Sequence, residues 1–272
     1  MKPLKVLLGN NSLGILGGSE TWTYTLAIQL AKLGHKVQCF SPELGIISTE
    51  LEKENISSFN QISTSGVKPF SFVFEEIPDH NYDVIIASHW HVVELLRKEF
   101  PRTPIISTIH GIIHFQDGRD GQEKAPEHPA LESGVNQFIA VSEEVQDMIK
   151  KEYGLDSIVI RNFIDTKRFC PHRKLPKEPG QFLLNSNYSL NKDLEVELIR
   201  TVSKHYGAKL TALGQNFVQS FEIEKAIEDA DIVVGMGRSV LEGVAAGRLG
   251  IVHGRWGTAG VLHEGNVTAM RE

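Results

Sequence analysis

Residues 4–40 read LKVLLGNNSLGILGGSETWTYTLAIQLAKLGHKVQCF, and this stretch decides the fold. Residues 4–8 form a short apolar run that predicts a buried strand, and residues 35–40 predict a second strand. Between them lie a glycine-rich loop over residues 9–18 and an amphipathic helix for which Ser19 is the predicted N-cap. The stretch therefore predicts a strand–helix–strand unit of a parallel sheet.

The same alternation of short apolar runs and amphipathic stretches continues along the first half of the chain. Strands are predicted at residues 82–87, 104–108 and 137–141, and helices between them, such as 92–100. Ser142 is the predicted N-cap of a helix that ends near Gly154. Residues 1–165 are therefore predicted to form one doubly wound, Rossmann-like α/β domain.

Three prolines interrupt this periodicity between residues 162 and 180, so we predict a linker over residues 166–180 and a second Rossmann-like domain over residues 181–272. The second domain has predicted strands at residues 181–185, 209–213, 231–234 and 250–252, and predicted helices at 194–206, 223–229 and 239–246. Open α/β sheets bind ligands outside the carboxyl ends of their strands, so we expect a ligand cleft between the two domains.

Composition argues against several classes of protein. The 272 residues include 34 acidic and 28 basic side chains, and the net charge of −6 disfavours a nucleic-acid partner. No stretch is long and apolar enough to cross a bilayer, and no basic amphipathic helix is evident, so we expect peripheral membrane contact at most. The two cysteines and the absence of a signal-peptide core indicate the cytoplasm.

The first candidate site is the loop that precedes the first predicted helix. Gly17 and Gly18 let the backbone approach a ligand closely, and the helix start presents N–H groups that bind anions. The alternative is that the glycines only connect the strand to the helix. Glu20 follows in the first turn, where it either orients a substrate or complements the helix dipole.

The second candidate site is a set of histidines that follow two successive predicted strands. The segment SHWH at residues 88–91 follows one strand, and His110 and His114 follow the next. We predict a hydrogen-bonding or acid–base role for His110. The alternatives are a structural histidine and a metal ligand, and no carboxylate at metal-motif spacing supports a metal.

The third candidate site is the segment GMGRSVLEGVAAG at residues 235–247, a glycine loop that follows a predicted strand and leads into a helix of small residues. The N–H groups around Gly237 and Ser239, together with Arg238, can hold a phosphate, and Glu242 can accept ribose hydroxyls. The alternative is that the small residues serve only close helix–sheet packing. Neither a Gly-x-Ser-x-Gly elbow nor a Walker A loop is present, which argues against an esterase or a kinase.

Three parts of the sequence resemble glycosyltransferase family 4, whose members are retaining enzymes of the GT-B fold. The resemblance lies in residues 17–37 (GGSE followed by LAIQLAKLGHKV), in residues 139–145 with 159–169, and in residues 230–247. It implies two Rossmann-like domains that face a cleft, a nucleotide diphosphate sugar as substrate, and no cofactor.

The resemblance also implies roles for residues of the second domain. Glu242 falls on the second of two family glutamates, which holds the nucleotide ribose, whereas Val234 replaces the first. The arginine and lysine that bind the diphosphate in the family would fall on Asn187 and Lys192, so only the lysine is kept. Arg238, in a loop that the family usually leaves uncharged, is expected to compensate.

In the first domain, His110 falls on a histidine that lies near the transferred sugar in the family. Gly17 and Gly18 fall on the loop near the donor phosphates and the acceptor. The second domain is shorter than in the family, and the closing helix that crosses back to the first domain has no counterpart in the sequence. We therefore expect either a truncated donor domain or a reduced variant of the family.

The predicted function is transfer of a hexosyl group, without a metal, from a nucleotide diphosphate sugar to a carbohydrate, lipid-linked or protein acceptor. The resemblance implies retention of the anomeric configuration. Two alternatives stay open at this point. One is a non-catalytic nucleotide-sugar-binding or scaffold protein of the same fold, suggested by Val234 and Asn187, and the other is a nucleotide-sugar epimerase of the same architecture.

Overall fold

The computed structural model describes residues 2–60, 62–63, 72–73, 81–111, 134–186, 192–214, 217–254 and 257–266. The chain divides into two compact units: Met1–Ile15 with Ser19–Arg161, and Asn162–Glu272 with Leu16–Gly18. Both units are built from parallel sheets and helices, so the predicted α/β class is confirmed.

The first unit contains a seven-stranded parallel sheet. Its helices are α1 (Gly18–Lys32), α2 (Ile46–Lys53), α3 (Trp90–Glu99) and α4 (Glu143–Tyr153). Its strands are β1 (Lys5–Gly9), β2 (Lys36–Phe40), β3 (Ser58–Phe59), β4 (Ile62–Ser63), β5 (Phe72–Val73), β6 (Val84–Ser88), β7 (Ile105–Ile109), β8 (Gln137–Ala140) and β9 (Ser157–Val159). The sheet order is β3-β2-β1-β6-β7-β8-β9, and β4 and β5 form a separate antiparallel pair.

The order of this sheet places its switch point between β1 and β6. From β1 the chain builds outward to β2 and β3, and it then returns to the other side of β1 to build β6, β7, β8 and β9. Loops at such a point leave the sheet in opposite directions and open a crevice at the carboxyl ends of the strands. The loops after β1 and β6 are therefore the ones that the topology makes available for a ligand.

Helix α3 packs closely against the middle of this sheet. Val92 and Leu96 are fully buried in one cluster with Leu7 and Ile85. Gly9 makes the approach feasible, because a Cβ atom there would lie 2.5 Å from Cδ1 of Leu96. The glycine at the end of β1 is thus a packing requirement of the fold.

The second unit contains a five-stranded sheet. Its strands are β10 (Gln181–Asn185), β11 (Lys209–Leu213), β12 (Ile232–Gly235), β13 (Leu249–Gly254) and β14 (Gly257–Val261), and its helices are α5 (Lys192–His205), α6 (Ile223–Asp229) and α7 (Arg238–Ala245). The order is β11-β10-β12-β13-β14, with β14 antiparallel to β13 and the other pairs parallel. The switch point lies between β10 and β12.

Strand residues of the second unit alternate between two buried clusters, as a sheet covered on both faces requires. Leu183 and Val233 belong to one cluster, and Leu184 and Val234 belong to the other. Helix α7 contacts β12 closely, because a Cβ atom at Gly243 would lie 2.7 Å from Cβ of Val233. The small residues of α7 therefore do serve close helix–sheet packing.

The proline-containing segment, predicted as a linker, packs on the second unit. The Arg173 guanidinium donates to the carbonyl oxygens of Glu228 and Ala230 at 3.0 and 2.8 Å, and it forms an ion pair with Asp231 at 2.7 Å. Arg248 in turn donates to the Arg173 carbonyl oxygen at 2.7 Å. These contacts bind the segment to the helix–strand connection between α6 and β12.

Capping is predicted correctly for α4 but not for α1. The Ser142 hydroxyl accepts a hydrogen bond from the Val145 N–H at 3.2 Å, and Gly154 ends the helix with φ of 67°. Helix α1 begins at Gly18, so Ser19 lies inside the helix and its prediction as the N-cap was wrong.

Helix α2 and the strands β3, β4, β5, β9 and β14 have no counterpart among the elements predicted from sequence. Strands β3, β4, β5 and β9 are two or three residues long, too short for an alternating pattern to be distinguished. No helix in the described part of the chain is long and apolar enough to cross a bilayer.

Candidate functional site

In the first unit, a buried asparagine joins the end of β1 to the start of α1. Asn10 is 0% exposed, and its amide nitrogen donates to the Ser19 carbonyl oxygen at 3.0 Å and to the Thr23 hydroxyl at 2.8 Å. These bonds position the first turns of α1 at the carboxyl edge of the sheet. Asn10 is not among the residues predicted from sequence, because an asparagine in a loop carries no periodic or motif signal.

Glu20 lies in the first turn of α1 and is 6% exposed. Burial raises the pKa of its carboxyl group, and hydrogen bonds with its own backbone N–H and with Ser19 oppose this rise. The nearby Glu43 carboxylate adds to the rise in pKa. A buried carboxyl in this setting is more easily protonated than an ordinary glutamate, so it can donate as well as accept a hydrogen bond.

His110 follows β7 directly and is fixed on two sides. Its Nε2 atom lies 2.8 Å from the Ser88 hydroxyl at the end of the neighbouring strand β6. The Trp22 ring of α1 contacts the imidazole edge to face, with 5.0 Å between ring centroids. The structure thus brings His110 together with α1, the helix that carries Glu20.

His89 has the most unusual backbone conformation at this edge. It precedes α3 with φ of 68° and ψ of 128°, a left-handed region that residues other than glycine seldom occupy. Its Nε2 atom lies 3.3 Å from the Ser19 hydroxyl, and Nε2 of His91 lies 2.6 Å from Oδ1 of Asn11. The strained turn therefore directs both histidines toward the loop after β1.

The glycines before α1 differ from Gly9 in what surrounds them. Helix α1 begins at Gly18, and a Cβ atom there would meet nothing within 4 Å among the described residues. Packing among the described residues therefore does not require glycine at this position. The proposed role of Gly17 and Gly18 in approaching a ligand stays a prediction. His114 lies outside the described residues.

In the second unit, the loop between β12 and α7 is held tightly against β10. A Cβ atom at Gly235 would lie 2.6 Å from the Asn185 carbonyl oxygen and 3.0 Å from Cβ of Ser239. Gly237 precedes α7 with φ of 59°, a left-handed conformation that glycine adopts without strain. The start of α7 is therefore placed at the switch point of the second sheet.

Arg238 and Glu242 form an ion pair one turn apart on α7. Nη2 of Arg238 donates to Oε1 of Glu242 at 3.0 Å, and Nη1 donates to the Phe163 carbonyl oxygen at 2.8 Å. Both side chains are buried, with 8% and 10% of their surfaces exposed. Burial raises the pKa of Glu242, and the charges of Arg238 and Arg168 oppose this rise.

The remaining predicted donor residues are placed as follows. Ser239 is half-buried in the first turn of α7, beside Arg238. Lys192 is the first residue of α5, the helix after β10, and its side chain lies outside the described part of the structure, as does Asn187. Val234 is 1% exposed and packs with Phe182 and Leu184 in the core of the second unit.

Among the described residues, no group of three or more histidine, cysteine, aspartate or glutamate side chains is placed to hold a metal ion. The candidate chemical groups that the structure describes are the carboxyls of Glu20 and Glu242, the imidazole of His110, the guanidinium of Arg238, and the N–H groups at the starts of α1 and α7.

The fold is that of the GT-B glycosyltransferases, since the described structure matches solved structures of this kind. A glycosyltransferase from Rickettsia africae has 17% sequence identity and a TM-score of 0.61, with 91% of this chain and 78% of that chain covered. HepE from Anabaena, solved with UDP and glucose, has 15% identity and a TM-score of 0.62, with 91% and 80% covered.

A sucrose-phosphate synthase from Thermosynechococcus elongatus matches with 12% identity and a TM-score of 0.58, and 90% of this chain and 80% of that chain are covered. Among curated proteins, no sequence matches. Residues 16–168 match the family Glycosyltransferase Family 4, and this chain belongs to that family.

Proposed function

We propose that this chain transfers a hexosyl group from a nucleotide diphosphate sugar to an acceptor, with retention of configuration and without a metal or other cofactor. The observation that carries the proposal is the start of α7, where Gly237, Arg238 and Glu242 combine N–H groups and charges at the switch point of the second sheet. The HepE structure was solved with UDP and glucose, which supports a nucleotide sugar as the donor here.

The second unit supplies the donor site in this proposal. The Glu242 carboxylate accepts hydrogen bonds from the ribose hydroxyls, and the N–H groups between Gly237 and Ser239 receive the diphosphate. Lys192 adds positive charge at the start of α5, the helix that follows the neighbouring strand β10. Preorganised donors of this kind stabilise the charge that develops on a leaving diphosphate.

The first unit supplies groups for the transferred sugar and the acceptor. His110, fixed by Ser88 and Trp22, hydrogen-bonds the sugar, and Glu20 orients the acceptor hydroxyl. In the reaction, the bond between the anomeric carbon and the diphosphate oxygen breaks, and a bond to the acceptor oxygen forms. The hydroxyl proton passes to the leaving phosphate, so atoms and charge balance without an added reagent.

The acceptor belongs to the carbohydrates, lipid-linked saccharides or proteins, and we place the reaction in the cytoplasm. Cys39 and Cys170 are both free thiols, which is consistent with a reducing compartment.

The test is calorimetric titration of UDP, GDP and ADP into the chain and into Glu242→Ala. One nucleotide is expected to bind, and the variant is expected to lose roughly tenfold or more of the affinity, as removal of a charged hydrogen-bond acceptor predicts. Glu197→Ala, on the exposed face of α5, is the matched control and should bind like the parent chain. Failure of all three nucleotides to bind would rule out the donor site.

Val234 favours a second candidate function, a nucleotide-sugar-binding protein that does not turn over. The first family glutamate contributes a carboxylate, whereas Val234 contributes a methyl-bearing side chain buried in the core. Radiolabelled nucleotide sugars that bind tightly but are neither transferred nor hydrolysed would support this candidate. Release of nucleotide with an altered sugar in the absence of an acceptor would instead indicate an epimerase.

A further inference from the structure

The side chain of Arg238 is directed inward, toward its own helix. One of its nitrogens binds Oε1 of Glu242 and another binds the Phe163 carbonyl oxygen, and only 8% of the side chain is exposed. A guanidinium whose main role is to bind a diphosphate would have its N–H donors exposed to solvent. Here two of its nitrogens are committed to groups of the second unit.

The surroundings of Glu242 contain a second ion pair. Arg168 donates from Nε to Oε2 of Glu224 at 3.0 Å and from Nη2 to the same oxygen at 2.6 Å, and its guanidinium lies 4.9 Å from the Phe221 ring centroid. The Arg168 charge favours the ionised form of Glu242, whereas the Glu224 charge disfavours it. The formal charges of the two arginines and the two glutamates thus sum to zero.

Removal of either partner of a desolvated pair leaves an uncompensated charge, which is strongly unfavourable. If Arg238 left Glu242 to bind a phosphate, the carboxylate would lose its nearest counter-charge at the moment when it is needed to accept ribose hydroxyls. A neutral carboxyl has lost part of its acceptor capacity. The two proposed donor contacts therefore depend on each other through the Arg238–Glu242 pair.

We propose that Arg238 is a positioning residue for ribose recognition: it keeps Glu242 ionised and directed by binding Oε1, so that Oε2 accepts the ribose hydroxyls. The inference rests on the proposed donor site in the second unit, and it assigns the diphosphate to the N–H groups at the start of α7 and to Lys192. Arg238 acts on the nucleotide through Glu242.

The discriminating experiment compares a nucleoside with its diphosphate. Uridine and UDP are titrated into the parent chain and Arg238→Met, or the guanosine or adenosine pair if the screen selects that base. Positioning of Glu242 predicts that both ligands lose affinity by the same factor, about tenfold or more. A loss confined to UDP would show that Arg238 contacts the phosphates, and it would overturn the inference.

The pH dependence of uridine binding provides a readout that a purely structural role would not change. Binding should weaken on the acid side as Glu242 becomes protonated, and in Arg238→Met this midpoint should move to higher pH by about one unit or more. Arg238→Lys keeps a positive charge without the bidentate fork and should restore part of the shift. An unchanged midpoint in Arg238→Met would contradict the inference.

A measurement without ligand separates the inference from the proposed function. Thermal unfolding of Arg238→Met, Glu242→Gln and the double variant forms a double-mutant cycle. We expect the double variant to be more stable than Arg238→Met alone, because it no longer buries an uncompensated carboxylate. Strict additivity together with nucleotide binding would overturn the inference and leave the proposed function standing. Coupling without nucleotide binding would overturn the proposed function and, with it, the role of the pair in ribose recognition.

Discussion

Helix α1 in the first unit and helix α7 in the second each begin near a glycine loop and carry a buried glutamate. The groups that surround the two carboxylates differ. Glu20 is stabilised by Ser19 and its own N–H, with Glu43 nearby, whereas Glu242 is paired with Arg238. Burial raises both pKa values. The difference teaches that a buried carboxyl without a cation is suited to exchanging a proton, and one with a cation to accepting hydrogen bonds.

The largest expected effect comes from breaking the Arg238–Glu242 pair. Arg238→Met should lower the free energy of unfolding by about 3–5 kcal/mol at neutral pH, because it leaves a buried carboxylate unpaired. The raised pKa of Glu242 in the folded state means that this penalty is absent below about pH 4.5 and grows as pH rises through the folded-state pKa. Denaturant unfolding of the variant at pH 4.5 and pH 8, in parallel with Arg238→Met/Glu242→Gln, measures this dependence.

The next effect concerns catalysis rather than stability and belongs to the first unit. His110→Ala should lower kcat by about 100-fold while leaving nucleotide affinity within a factor of about two, since the proposed function assigns the imidazole to the transferred sugar and not to the ribose. Ser88→Ala, which removes the 2.8 Å contact with Nε2, should lower kcat by about tenfold. The measurement is the steady-state rate of sugar transfer to water or to an acceptor. A kcat for Ser88→Ala as low as that of His110→Ala would mean that Ser88 itself contacts the substrate.

The glycine loops provide a matched pair for a third prediction. Gly235→Ala should destabilise the chain by about 1–3 kcal/mol, because the new Cβ atom would lie 2.6 Å from the Asn185 carbonyl oxygen. Gly18→Ala should change the stability by no more than about 0.5 kcal/mol, since nothing described lies within 4 Å of its Cβ position. Thermal unfolding compares the two variants. If Gly18→Ala keeps its stability but loses activity, the loop before α1 approaches a ligand.

The smallest expected effect is the change in the pH profile of stability caused by Glu20→Gln. The folded-state pKa of Glu20 is raised above 4.5, so its ionisation costs stability as pH rises through that raised value. Glu20→Gln removes this cost. The stability of the variant relative to the parent chain should therefore increase as pH rises from 4.5 toward neutrality. Melting temperatures of both proteins across this range test the sign. A constant difference between the two curves would show that Glu20 has an ordinary pKa in the folded protein.

Much of the fold could be predicted from local sequence patterns, because long elements carry a strong periodic signal. Strands β10 and β11 and helix α6 have the predicted bounds, and Ser142 caps α4 as its sequence indicates. The failures have local physical reasons. The start of α1 is held by Asn10 in the loop after β1, and two of the five residues of β14 (GTAGV) are glycines, which weaken the strand signal, so its pairing with β13 decides its conformation.

The candidate site could be predicted only as residue types at strand ends. Glu242, Arg238 and His110 were identified from their positions after apolar runs and from the family resemblance. Their partners were not identified, because Ser88, Phe163 and the left-handed backbone of His89 have no signature in sequence.

The sequence by itself determined the α/β class, the order of the main elements and the family, because apolar periodicity, turn residues and family motifs are properties of short segments. Tertiary structure alone decided which charges meet. The i, i+4 spacing allows Arg238 and Glu242 to form an ion pair. Only the contact with Phe163 and the packing of α7 on β12 remove the pair from solvent, and this burial is why breaking the pair is expected to cost so much stability. Solvent exclusion depends on residues distant along the chain, and no local segment encodes it.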